Sequence, residues 1–411
     1  MKSIFTFLFS IFLVISAFSQ TQVDVITGAG YANEVYYNFE NDTLKTVPRS
    51  GWDIAFKTHQ MSVSVLANNS TEVKVYTWNN GSIDDWATLD TTGMAWTPMY
   101  NSIVDWEYGA FNANTVPGNE LDYGWGKYNV VTHNISGDSI FIVQLASGDF
   151  KKFAIVKKNA LQNTWNIKYA DIDGSNEIDT TFDADDYKPA EFFHYSIVNN
   201  EVVDQEPTER WQLLFTRYYD YTIPYMVSGV LTNTGIKTQQ VNGVSQGDFE
   251  DYQTSLFTDT ISQIGSDWKS FNMETFQYDV ATDIVYFVQD TTAGADNSIW
   301  KLYFTGFDYS NGTYSFTKKK LGTTGVDDFS KRNLTVYPNP ASREINVIHD
   351  FSGDTEITVY NIAGQPVLKT QNYESTGLNK NVLNISNLPT GMYSLHVRSG
   401  NELKTVKFLK K

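Results

Sequence analysis

Apolar and polar residues alternate with a period of two over short runs along most of this chain. In Trp52-Asp53-Ile54-Ala55-Phe56-Lys57 every second residue from Trp52 is large and apolar. A β-strand would place Trp52, Ile54 and Phe56 on one buried face and turn Asp53 and Lys57 outward. Trp211-Gln212-Leu213-Leu214-Phe215 repeats the pattern. No long run carries apolar residues at the three-to-four spacing of a helix, and β-branched and aromatic residues dominate wherever periodicity is clear. The pattern predicts an all-β, antiparallel chain.

The patterned stretches recur in order. Tyr36-Tyr37-Asn38-Phe39 leads into the Trp52 stretch, and Phe192-Phe193-His194-Tyr195 leads into the Trp211 stretch. Asp105-Trp106 is echoed by Asp267-Trp268, and Ile140-Phe141-Ile142-Val143-Gln144 by Val285-Tyr286-Phe287-Val288-Gln289. Phe150-Lys151-Lys152-Phe153 matches Trp300-Lys301-Leu302-Tyr303, and Thr164-Trp165-Asn166-Ile167 matches Thr313-Tyr314-Ser315-Phe316. Ordered landmarks of this kind predict an internal duplication, with one β domain at 20–175 and a second at 188–322. The acidic, turn-rich run from Asp171 to Tyr187 is expected to be a solvated linker between them. Set as a twelve-residue calcium loop with Gly174 at its turn, that run has Tyr169 first and Thr180 last, where carboxylates are needed.

The two ends carry different patterns. Lys2 and the apolar stretch Ile4 to Ala17, followed by the small-x-small site Ala17-Phe18-Ser19, predict a signal peptide over 1–19. The C-terminal stretch, 333–411, holds short alternating runs (Ile345, Val347; Ile357, Val359; Tyr393, Leu395, Val397) divided by Pro-Asn-Pro, Ala-Gly-Gln-Pro and Pro-Thr-Gly turns. A small β-sandwich is expected there. Its motifs, from Leu334-Thr335-Val336-Tyr337-Pro338-Asn339-Pro340 through Val359-Tyr360-Asn361-Ile362-Ala363-Gly364-Gln365-Pro366-Val367 to a basic end, resemble the type A C-terminal sorting domain of the type IX secretion system. That resemblance implies export to the outer-membrane surface or the medium, and the secretion machinery as a partner.

Composition narrows the classes. The chain has no cysteine, which excludes disulfide staples and a lipid-anchored cysteine. Hydrophobic residues make up 41% and aromatic residues 15%, enough to build stability from burial alone. The formal charge of −17 argues against nucleic acid and against anionic membrane as partners. After the leader, no hydrophobic run is long enough for a transmembrane helix. No Gly-x-Ser-x-Gly, His-Glu-x-x-His or phosphate-loop motif occurs, and a non-catalytic protein is expected.

The aromatic lead strand, Trp-Asp-Ile-Ala-Phe, and Ile140 to Phe153 together resemble the HmuY-like haem-binding proteins of bacterial surfaces. The resemblance spans Tyr36 to Gly174 and, more dimly, Phe192 to Gly322. It implies two tandem HmuY-like β domains and a haem or related tetrapyrrole ligand. Haem iron takes axial His or Met from facing walls of an apolar cleft. The candidates are His59, Met61, Met94, Met99 and His133, although His59 and Met61 are too close in sequence to coordinate opposite faces. The alternative is a carbohydrate-binding or adhesive module that uses the rings of Trp78, Trp86, Trp96, Tyr100, Trp106, Tyr108, Tyr123 and Trp125 for stacking.

Overall fold

The computed structural model describes residues 20–323 and 334–411, apart from 293, 294, 296, 350, 352, 362, 363, 376–378, 400 and 401. The expected leader at 1–19 and the junction at 324–333 lie outside the described residues. The chain forms two compact units, 1–321 and 322–411.

As the alternation predicts, the upstream unit is built from antiparallel sheets with only short 3-10 turns between strands. It holds two large cores. One packs Ile54, Phe56, Val65, Phe193 and Tyr195 against Phe141, Val143, Phe153, Ile155, Trp165 and Ile167. The other packs Val35, Tyr37, Leu213, Phe215 and Val230 against Tyr286, Val288, Leu302, Phe304, Tyr314 and Phe316.

These cores do not follow the boundaries 20–175 and 188–322. The hairpin of Asn33–Asn38 and Asp42–Pro48 does not pair with Ile54–Lys57, the strand that follows it. It pairs with Leu213–Asp220, placing Tyr37 opposite Leu213 and Val35 opposite Phe215. The second hairpin, Phe192–Ser196 with Glu201–Val203, pairs in turn with Ile54–Lys57, setting Tyr195 opposite Ile54 and Phe193 opposite Phe56. The two aromatic hairpins thus cross over, the first joining Leu213–Asp220 and the second joining Ile54–Lys57. Thr21–Ile26 also crosses over, to pair with Thr313–Thr323 at the edge of the second half's five-stranded sheet.

A polar residue fixes each exchange. The Asp53 carboxylate accepts the Ile197 backbone N–H at 2.7 Å, just past the borrowed strand. At the corresponding place in the other half, the Gln212 side-chain oxygen accepts the Phe39 N–H at 2.9 Å. Lys57 gives a further tie, pairing with Glu191 at 3.0 Å beneath the Phe192 ring.

Those ties also correct the expected parity. Asp53 and Lys57 are buried, and Trp52 does not share a face with Ile54 and Phe56. The chain bends at Asp53 before the strand begins at Ile54. Trp52 therefore packs with Ala55, Leu66 and Phe192 on the opposite side of the sheet. Trp211 behaves likewise, packing with Tyr36 and Leu214 while Leu213 and Phe215 enter the core.

The expected linker is structured too. Ile178–Asp183 returns along Thr164–Asp171 as an edge strand, after a turn with Gly174 at φ +90°. Asp171 is taken up by an ion pair with Lys151 and by the Asn176 and Ser175 side chains.

The C-terminal unit is a small two-sheet sandwich. Ile345, Val347, Ile357, Val359, Tyr393, Leu395 and Val397 all enter its core, as their alternation predicts.

Candidate binding cleft

The exchange turns two sheet faces away from the cores and toward a shared space. One face presents Tyr36, Trp211 and Leu214; the other presents Trp52, Leu66, Phe192 and His194. Trp106, from the long loop of the first half, enters between them. Its ring lies 6.3 Å from Trp211 and 5.9 Å from Phe192, both edge-on, and its indole N–H donates to the Thr232 carbonyl at 2.8 Å. The resulting cleft is narrow, with a cavity volume of about 70 Å³, and opens at its mouth to solvent.

The two walls correspond to each other. His194 packs edge-on against Trp52 at 4.7 Å, and Tyr36 packs edge-on against Trp211 at 5.3 Å. Each indole is clamped by a buried carboxylate: Trp211 donates to Glu206 at 2.7 Å, and Trp52 donates to Glu34 at a longer 3.4 Å. Glu206 also accepts the backbone N–H groups of Glu191 and Phe192, and Glu34 accepts from Gln205 and Thr216. Burial pushes the Glu206 carboxyl up to about 7 against the pull of these donors, and raises Glu34 in the same way. With protein donors on both oxygens of each carboxylate, the pair orients the tryptophans.

His194 differs from every other polar group on the walls. It is 5% exposed, and its Nδ1 has no hydrogen-bond partner among the described residues. Burial, with Lys45 nearby, pushes its pKa down to about 3, so the imidazole is neutral at ordinary pH. An orphaned buried ring nitrogen costs about 1–3 kcal/mol. That nitrogen is itself sealed from solvent, so His194 meets the cleft with the rest of its ring.

The five residues expected to ligate iron are not brought together, and none lines this cleft. Met94 fills a separate apolar cluster with Trp78 and Trp86. Met99 packs against the first core, its sulfur accepting from Thr77. His59 and Met61 are exposed at the turn after Ile54–Lys57, and His133 is exposed on a loop beside the Tyr128 hydroxyl. Among the described residues no three His, Cys, Asp or Glu side chains converge to hold a metal ion. Of the rings considered for stacking, Trp78, Trp86 and Trp125 are buried, Trp96 and Tyr108 are exposed, and Trp106 lines the cleft. His194 and Tyr36 occupy matching places in the two strand pairings, opposite Ala55 and Leu214, whereas in the sequence echo His194 falls on Asn38, so the motif alignment gave no signal for the cleft.

Residues 335–411 match the secretion system C-terminal sorting domain. This domain of the type IX system implies delivery to the cell surface or the extracellular space. No match to an HmuY-like family accompanies it, and no curated protein matches the chain. No helix among the described residues is long and apolar enough to cross a membrane.

Proposed function

We propose that this is an exported, non-catalytic binding protein that takes a sugar ring of a glycan into the cleft between Trp52, Trp106 and Trp211. The observation that carries the reading is the cleft lining itself, in which three indoles, Trp52, Trp106 and Trp211, stand beside the neutral ring of His194. Sugars suit such a site because their C–H faces pack on aromatic rings while their hydroxyls satisfy isolated polar atoms.

Haem is the second reading, and His194 also favours it, since a neutral imidazole is an iron ligand. Against it, the lining holds one histidine and no methionine, so the facing pair expected for an HmuY-like site is missing from the walls. A glycan array and a haemin titration on the exported chain separate the two. Saturable glycan binding with an unchanged Soret band supports the sugar reading. A stoichiometric Soret shift lost in His194→Ala supports haem. Neither signal from folded protein refutes both.

A further inference from the structure

Resting on the glycan reading, we propose that the ligand is an acidic oligosaccharide: Arg217 holds its anionic group at the cleft, and its further rings lie on a neighbouring shelf of tyrosines. Arg217 stands where the two surfaces meet. It belongs to the cleft lining, and its guanidinium lies over the Tyr31 ring, 5.8 Å from the centroid. The strand that carries it, Leu213–Asp220, brings Leu214 and Thr216 to the cleft, then continues past Arg217 into a hairpin with Tyr225–Thr232 that sets Tyr225 opposite Asp220. Among the described residues the guanidinium has no ion pair and no hydrogen bond.

The groups around Arg217 are engaged elsewhere. Arg49, close enough for the two positive charges to oppose each other, donates to the Tyr31 carbonyl at 2.7 Å and to the Ser70 carbonyl. Carboxylates beside the shelf are taken up within their own turns: Asp220 accepts from Thr222 at 2.6 Å, Asp308 from Ser310 at 2.6 Å, and Asp279 from Asn272 at 2.8 Å. Glu34 and Glu206 are occupied in clamping the indoles. The chain's net charge of −17 does not decide the matter, since exposed charges farther than about 8 Å are screened at physiological salt. A planar guanidinium meets a carboxylate or a sulfate through two parallel hydrogen bonds, and the half-buried setting of Arg217 strengthens such a pair.

The shelf supplies the stacking surface. Tyr31, Tyr225, Tyr278 and Tyr309 lie close enough for their phenols to influence one another, and Tyr225 and Tyr309 are exposed. Phe307 underlies them, stacked on Tyr31 at 6.3 Å and edge-on to Tyr278 at 5.0 Å. The hairpin of Lys269–Asn272 and Gln277–Val280 extends the surface with the exposed rings of Phe271 and Phe276. Phe276 is held at φ +53°, a conformation unfavourable for so bulky a residue, with its ring in solvent. Exposed rings beside an unpaired cation suit an acidic sugar chain, whose C–H faces stack while its hydroxyls meet the phenols. A neutral chain in the same place would cover Arg217 without pairing it, which is costly.

The test is an array of neutral, uronic, sulfated and amino glycans presented to the exported chain, followed by calorimetric titration of each acidic hit against its carboxyl-reduced or desulfated counterpart. Acidic forms should bind at least about tenfold more tightly, and the arm that gives the preference identifies the anion as carboxylate or sulfate. Arg217→Gln should bring that ratio within about threefold, whereas Arg217→Lys, which keeps the charge but loses the planar fork, should retain part of it. Tyr225→Ala, at an exposed position, should weaken an acidic oligosaccharide at least about threefold more than it weakens the single acidic ring. Neutral or cationic hits alone, acidic and neutral forms bound within threefold of each other, or an unchanged ratio in folded Arg217→Gln protein overturn the inference while leaving the glycan reading standing. If Arg217→Gln proves poorly folded, the comparison on the unsubstituted chain and Tyr225→Ala still decide. An empty array overturns the glycan reading itself.

Discussion

Separating the upstream unit between residues 187 and 188 tests the reciprocal exchange on which the cleft depends. A fragment of 20–187 loses Phe193, Tyr195 and Ile197 from the first core, where all three are at most 4% exposed. At about 2 kcal/mol for each buried side chain, that is roughly 6 kcal/mol of burial. It also leaves Ile54–Lys57 without one of its two neighbours. The complementary fragment, 188–323, loses Val25, Val35, Tyr37 and Phe39 from the second core, roughly 8 kcal/mol by the same measure. Domains are stable by only about 5–15 kcal/mol, so neither fragment should fold alone. Far-UV circular dichroism with urea titration is the assay. Each fragment should lack a cooperative transition, and mixing them should restore one. A sharp transition in either isolated fragment would show that the halves are self-contained and refute the exchange.

Other consequences are open to measurement. A Cβ on Gly109 would lie 1.9 Å from the Val65 carbonyl oxygen, so Gly109→Ala should cost about 3 kcal/mol in urea unfolding. Lys158 is buried, its ammonium held by Asn163 and lying over Trp165, and burial pushes its pKa down to about 7. Between about pH 7 and 10 the unfolded chain holds this proton and the folded chain has shed it, so the Lys158 contribution to stability should grow with rising pH, and Lys158→Met should flatten the slope. His133→Ala, at a left-handed position on an exposed loop, should cost about 1 kcal/mol in stability and leave ligand binding intact. Removing 335–411 should abolish surface delivery in a cell-fractionation assay while leaving the urea midpoint of the upstream unit unchanged.

The strands were legible where alternation alone determines burial. Ile345 and Val347 in the C-terminal sandwich, and Leu213 and Phe215 upstream, enter cores as their spacing requires. The exchange was not legible, because an antiparallel hairpin can pair equally well with the strand that follows it or with that strand's duplicate 159 residues on. Ties such as Asp53 to the Ile197 amide decide between these, and a single sequence does not display contacts at that separation. The same bend at Asp53 moved Trp52 out of the core and into the cleft. That the candidate ligand residues lie apart was hidden for a related reason. Methionine in a loop reads equally as an open donor or as packing, and Met94 and Met99 prove to be packing. His194, inside an aromatic strand motif, carried no ligand signal in the sequence, and only the hairpin's pairing with Ile54–Lys57 places its ring on the cleft wall.

Among the chain's ten tryptophans, Trp52, Trp106 and Trp211 line the cleft, and the indole N–H resonances report on each separately. Assigned by single Trp→Phe substitutions and followed while a glycan identified on the array is titrated in, these three signals should shift together and saturate at one equivalent. A saturable response confined to Trp96, whose ring is exposed elsewhere, or to none of the three, would place binding outside the cleft and contradict the account.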